Sequence, residues 1–329
     1  MRRALLFVSL WMMATGPSVA RAQTPATTGA IGAYPNKPIR LLIPFASGGG
    51  ADVVMRPFVQ KLSDALGQSI VYENRGGAGG ILAGETVARA TPDGYTLLSG
   101  AVSVMTVTVN LMKMPFDPVR DLTPITKVAD VASLLAARPG FTPRTLKDIV
   151  EYAKASPGKL IWGLSGIGSP GHLSMERFRL DQGINLTQVF YKGAGPGAVA
   201  LMSGEVDIMS ANPGVFMAHI KSGRLRPIAV SADKRIAIMP DLPTYGEMGF
   251  PGYAHSSWYG LAAPAGTPPA IIQRLYSESA KVLKDPELIA LFARDGGTAV
   301  GNTPEEFARY IRAEIAESAR VIKAAKIRL

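Results

Sequence analysis

RLLIPFASGGGAD, residues 40–52, places a buried-looking strand directly against three consecutive glycines. The apolar run over 40–45 lacks polar alternation, which predicts a strand covered on both faces, as in a parallel sheet. Gly48, Gly49 and Gly50 follow, and a helical pattern begins near Asp52. Glycine accepts either sign of φ and shields nothing, so such a turn leaves backbone N–H groups open. The helix start adds partial positive charge at the same place, and the combination suits an anion. Asp52 is expected to cap the helix, and its charge would repel an anion. Pro57 predicts a kink or a helix start near Met55.

A second loop of this kind lies more than a hundred residues on. A strand is expected over 160–164, then Ser165-Gly166-Ile167-Gly168-Ser169-Pro170-Gly171, then a helix from His172. Between and after the two loops the pattern repeats. Strands are expected over 69–74, 95–99, 187–192, 206–210 and 226–231, with an extended apolar stretch at 125–137 and helices between them. That alternation means an α/β fold with parallel sheets. The end is helical, and Thr303-Pro304-Glu305-Glu306 reads as a capping box with proline at the first helical position.

The composition excludes several classes. Hydrophobic residues make up 47% and charged residues 18%, which is globular rather than disordered. The formal charge is +10, but the basic residues are scattered and not interleaved with aromatics, so no nucleic-acid partner is expected. A basic balance favours acidic small molecules. There is no cysteine, hence no disulfide frame and no thiolate chemistry. The amino terminus has the form of an export signal. It has a basic Met1-Arg2-Arg3, an apolar run over 4–16 and Ala20-Arg21-Ala22, with cleavage expected after Ala22. Residues 23–33 are expected to form a disordered leader. Removing Arg2, Arg3 and Arg21 leaves about +7.

Enzyme motifs fit poorly. Residues 166–171 match G-x-G-x-x-G, but no acid closes the next strand to hold a ribose. Gly163-Leu164-Ser165-Gly166-Ile167 misses the final glycine of a hydrolase nucleophile elbow. His172, His219 and His255 are far apart and lack metal-ligand spacing, and His172 reads as structural. No catalytic residue, cofactor or metal is expected. Two anion-suited loops remain, and in open α/β sheets ligands bind beyond the carboxyl ends of strands. Two lobes facing each other would put both loops on one small carboxylate.

The chain resembles the periplasmic solute receptors of tripartite tricarboxylate transporters, the Bug or TctC-type proteins. The resemblance runs through Tyr34-Pro35-Asn36-Lys37-Pro38-Ile39-Arg40, Glu73-Asn74-Arg75, Gly77-Ala78-Gly79-Gly80, Pro92-Asp93-Gly94-Tyr95, Tyr191-Lys192-Gly193, Trp258-Tyr259-Gly260 and the 303–307 segment. It implies a two-lobed Venus flytrap, type II-like, with a mainly parallel sheet flanked by helices in each lobe. Residues 34–130 with 252–329 would form one lobe and 131–251 the other. The implied role is that of a monomeric, exported, periplasmic receptor that captures a small organic acid and delivers it to membrane permease subunits. The implied site is Phe45, Ala46, Ser47, Gly48, Gly49 and Asp52 on one side, and Ser165, Gly166, Gly168 and Ser169 on the other, with Tyr191, Ser210 and Asn212 lining the second lobe. The chain departs from the usual pattern at Ser47, Leu164, Phe190 and Ala211. Leu164 and Ala211 stand where polar or charged groups are usual, which leans toward a less polar or aromatic acid. The rival readings are a secreted α/β hydrolase or oxidoreductase, and a ligand sensor without transport.

Overall fold

Strand β1 (Ile39–Ile43) is buried at four of its five positions, as an apolar run without alternation requires. It pairs in parallel with β2 (Ile70–Asn74) on one side and β3 (Thr96–Ala101) on the other. The computed structural model describes residues 34–45, 47, 50–253 and 256–327. The export signal, the 23–33 leader, Ala46, Gly48, Gly49 and His255 lie outside the described residues. Helix α1 (Gly50–Leu66) runs between β1 and β2, and α2 (Ile81–Ala88) between β2 and β3. A π-helical turn at Ser103–Val107 leads into the short α3 (Thr108–Leu111).

The sixteen-residue β4 (Leu122–Ala137) then joins two sheets. At about 3.3 Å per residue such a strand spans roughly 50 Å, far longer than an ordinary one. Beyond it come α4 (Leu146–Ala155), β5 (Ile161–Leu164), α5 (Pro170–Gln182), β6 (Thr187–Phe190), α6 (Ala194–Ser203), β7 (Ile208–Ala211), α7 (Pro213–Lys221) and β8 (Arg226–Ser231). The chain returns through β9 (Ser256–Pro264), α8 (Pro269–Val282), α9 (Pro286–Arg294), β10 (Gly297–Ala299) and α10 (Pro304–Ala325). The strand order is β2-β1-β3-β9-β4-β7-β5-β6, with β8 and β10 also on β4. Residues 122–132 of β4 pair with β9 in the first sheet, and residues 133–137 pair with β7 and β8 in the second. The architecture is the expected two-lobed α/β one.

The pairing is less parallel than expected. β1, β2 and β3 are parallel, as are β5, β6 and β7, but every pair made by β4 or β9 is antiparallel. The reason is that β4 runs through both sheets and β9, on the chain's return, lies between β3 and β4 in the first sheet, each opposite in direction to its neighbours. Helix α1 also starts before Asp52, which sits in its first turn, and Pro57 lies inside the helix. The capping box of α10 forms as read, with Thr303 Oγ1 accepting from the Glu306 N–H.

Each sheet is covered on both faces. In the second, Trp162, Phe178 and Tyr245 pack on one face while Met209, Phe216 and Leu201 pack on the other. In the first, Trp258 is fully buried and meets Phe307 edge-on at 5.2 Å. Its indole N–H donates to Glu314 at 2.6 Å, which ties β9 to α10. Among the described residues no helix is long and apolar enough to cross a membrane.

Candidate functional site

The carboxyl ends of β1, β5 and β7 open into a cleft with two chambers. The larger has a volume of about 990 Å³ and the smaller about 520 Å³. Phe45, Ser165, Pro170 and Ser257 line both and form the neck between them. The two sides of the cleft already touch. A Cβ on Gly50, at the start of α1, would lie 2.9 Å from Asn212 Nδ2 and 3.2 Å from the Tyr259 hydroxyl. A Cβ on Gly168 would lie 2.7 Å from Leu111 Cδ1, and Gly168 itself has φ 73°. Glycine is required there both for the backbone conformation and for the close approach.

Four helix starts face the smaller chamber: Gly50 of α1, Pro170 of α5, Ala194 of α6 and Val215 in the first turn of α7. The N-cap residues of α6 and α7, Gly193 and Asn212, make no side-chain capping bond. Their first-turn N–H groups are therefore uncapped by side chains, and each helix end carries about half a positive charge. Among the described lining residues of both chambers, Asp295 is the one with a formal charge. It reaches over from the end of α9, and a Cβ on Gly214 would meet its Oδ1 at 3.0 Å. An anion in this cleft would be held by main-chain N–H groups, hydroxyls and helix dipoles rather than by an ion pair.

The described residues singled out from sequence divide into two groups. Phe45, Ser165, Gly166, Gly168, Ser169, Ser210 and Asn212 line the cleft. Asn212 hydrogen-bonds the Tyr259 phenol, whose pKa burial pushes up to about 12. Ser210 shares a hydrogen bond with Tyr245. Asp52, Ser47 and Tyr191 are turned elsewhere. The Asp52 carboxylate is buried and accepts from Tyr72 at 2.7 Å, Asn74 at 3.1 Å and Ser47 at 3.3 Å, with Arg56 at 3.5 Å. It fastens α1 to β2. The Tyr191 hydroxyl donates to Glu205 at 2.8 Å, and burial followed by that carboxylate pushes its pKa up to about 12.

Sequence reading alone misses several lining groups: the 76–80 glycine turn, Ser103 and Thr108 on the π-helical turn and α3, and Ser257, Tyr259 and Asp295. The 76–80 glycines are visible as a turn of the same quality as the other two. Tyr259 and Asp295 carry no local signal, because their place is set by pairings and packing across the chain.

His172 holds the second loop in shape. It is 2% exposed, and its Nδ1 accepts the Gly168 N–H at 3.0 Å. Ser169 caps the helix by accepting the His172 N–H at 3.3 Å. Glu176 lies 3.9 Å from Nε2, Gln188 hydrogen-bonds the ring, and Phe190 packs edge-on at 5.0 Å. Burial lowers the His172 pKa from 6.5, against the opposing pull of Glu176. The unfolded chain therefore binds the proton first, so stability is full above about pH 6.5 and is lost as pH falls below it, until the folded-state value is passed. The slope from this residue is at most about 1.4 kcal/mol per pH unit. Denaturant titrations at pH 7.5 and 5.5 should show that slope reduced in His172→Gln; an unchanged slope would clear His172 of it.

Comparison with known proteins adds to this geometry. The model of the family described as tripartite tricarboxylate transporter family receptor, TctC, matches residues 54–327. Protein BugT of Bordetella pertussis is 36% identical over 292 residues, covering 88% of this chain and 90% of BugT. A solved structure of an R. palustris protein with adipate is 34% identical, covers 90% of this chain and 99% of its own, and superposes with a TM-score of 0.80. MatC from Rhodopseudomonas palustris with bound malate is 30% identical, with coverage of 88% and 100% and a TM-score of 0.75.

Proposed function

The chain belongs to the tripartite tricarboxylate transporter receptor family, and from that premise we propose that it captures a small organic acid in the cleft between its sheets. The observation that carries this reading is the convergence of uncapped helix starts and the glycine-rich 165–171 loop on one cleft with no basic lining side chain among the described residues. Relatives that hold adipate and malate support a carboxylate as the ligand class. Residues 34–130 with 252–329 act as one lobe and 131–251 as the other, closing over the acid. Phe45, Ser165, Gly166, Gly168, Ser169, Ser210 and Asn212 bind or frame it, together with Ala46, Gly48 and Gly49 of the first loop. Asp52, Ser47 and Tyr191 act as supports rather than contacts. The protein works in the periplasm as a monomer and hands its ligand to the membrane subunits of its transporter.

The receptor reading and an enzymatic one part on a simple measurement. A binder at a ligand concentration of 100 Kd gains about 2.7 kcal/mol, which for a chain of this size raises Tm by about 5 °C. A thermal-shift series with malate, succinate, adipate and phenylacetate should give such a rise for at least one acid. NMR of the same mixtures should show that acid unchanged after hours. No rise with any organic acid would sink the receptor reading, and a consumed acid would replace it with an enzyme.

A further inference from the structure

We infer that the acid taken by this cleft carries an apolar body, an aryl ring or an alkyl chain, seated in the larger chamber. The inference rests on the receptor reading above and narrows its ligand class. The described lining residues of the larger chamber include no charged side chain. Leu111, Met112 and Ile167 form an apolar stretch of its wall. Two of these are large apolar side chains left open to water, Met112 at 44% and Ile167 at 45% exposure. They come from the two sides of the cleft, Met112 from the end of α3 and Ile167 from the 165–171 loop. Next to them Leu111 is in reach of Gly168, so the two sides meet beside this chamber. An apolar body placed there would cover both side chains and release their bound water.

A charged group in the same position would lose its own hydration without a charged side chain to pair with. The starts of α1, α6 and α7 lie on the other side of the neck, and the 165–169 loop with its main-chain N–H groups reaches the neck from the larger chamber. Asp295 in the smaller chamber opposes a second carboxylate entering there. One carboxylate at the neck with the body in the larger chamber satisfies all of these at once. Malate and citrate carry no apolar body to cover Met112 and Ile167.

Two ligand pairs of constant charge isolate the body: succinate against adipate, which adds two methylenes, and acetate against phenylacetate, which adds a ring. Each methylene removed from water contributes a factor of about four. Calorimetry should therefore find adipate tighter than succinate, and phenylacetate tighter than acetate, each by about tenfold. Met112→Ser and Ile167→Ser should each narrow both ratios at least threefold. Equal or reversed ratios, with the acids still binding, would overturn the inference and leave the receptor reading standing. Ratios that neither variant moves would overturn the assignment to this chamber. Failure of all four acids to bind would remove the receptor reading and this inference with it. Both side chains are exposed, so the variants should fold, and a melting curve checks that.

Discussion

Gly50→Leu is expected to weaken adipate binding by at least about tenfold while the unliganded protein stays folded. Gly50 is the first residue of α1, and a helix start accepts leucine without backbone strain. Replacing glycine also reduces the freedom of the unfolded chain, an effect of about 0.5–1 kcal/mol in favour of folding. The cost falls on closure instead. The Cβ alone would stand 2.9 Å from Asn212 Nδ2 and 3.2 Å from the Tyr259 hydroxyl. Both are the ends of side chains and can retreat a little, so Gly50→Ala should show an intermediate loss. The further carbons of leucine have to go between the strand ends that face each other at this point, β7 with Asn212 and β9 with Tyr259. Apparent affinity scales with the fraction of protein able to close, so a tenfold loss corresponds to about 1.4 kcal/mol against closure. Calorimetry gives the affinity and urea denaturation the stability. Wild-type affinity in Gly50→Leu would take this junction out of the closing motion.

That junction also shows what the sequence could and could not reveal. The strand–glycine–helix pattern at 40–52 and its counterpart at 160–172 were legible because their signals are local: an apolar run, a turn that needs glycine, a cap. The Thr303 capping box is of the same kind. Gly50 was visible as a turn residue, but Asn212 and Tyr259 reach it only through pairings made across the molecule. Trp258 faces Asp130 of β4 and Tyr259 faces Ala129, partners far away in sequence. The 256–264 segment was recognisable only by family likeness, because a strand whose register is set by distant partners has no pattern of its own. The same cause made the sheets look more parallel than they are. Local pattern shows β–α–β repeats and says nothing of a strand, β4, that runs through both sheets or of β9 returning antiparallel beside it. Tyr191 is a cleft residue only by what the family resemblance implies. Glu205, at the end of the next helix, takes its hydroxyl instead. Asp52 follows the same logic in reverse: its charge argued against an anion contact, and Tyr72 and Asn74 give it other work.

Gly260→Val should destabilise the fold by at least about 3 kcal/mol, well beyond the cost of an ordinary surface substitution. Gly260 lies in β9 between Gly100 of β3 and Lys127 of β4, at the middle of the first sheet. A Cβ there would be 2.6 Å from Phe307 Cζ and 2.8 Å from the Thr126 carbonyl oxygen. Phe307 is fully buried against Trp258, so its ring cannot swing out to solvent. The Thr126 oxygen is main chain, and moving it shifts the β4–β9 ladder, which already carries irregular register on both sides of Lys127. Overpacking of side chain alone typically costs about 1–3 kcal/mol, and a forced backbone shift adds to that. For a chain of this size the loss should lower Tm by at least about 5 °C. The two contacts can be separated. Phe307→Leu in the Gly260→Ala background should recover part of the loss, because it removes the ring contact and leaves the carbonyl one, giving a coupling energy in a double-mutant cycle. Full recovery would assign the whole effect to the ring, and a normal urea midpoint for Gly260→Val would show that β9 can bow at this position. Because Tyr259 is the next residue and presents its hydroxyl to Asn212, a bowed β9 would also lose acid affinity, and the variant that keeps its stability should still bind more weakly.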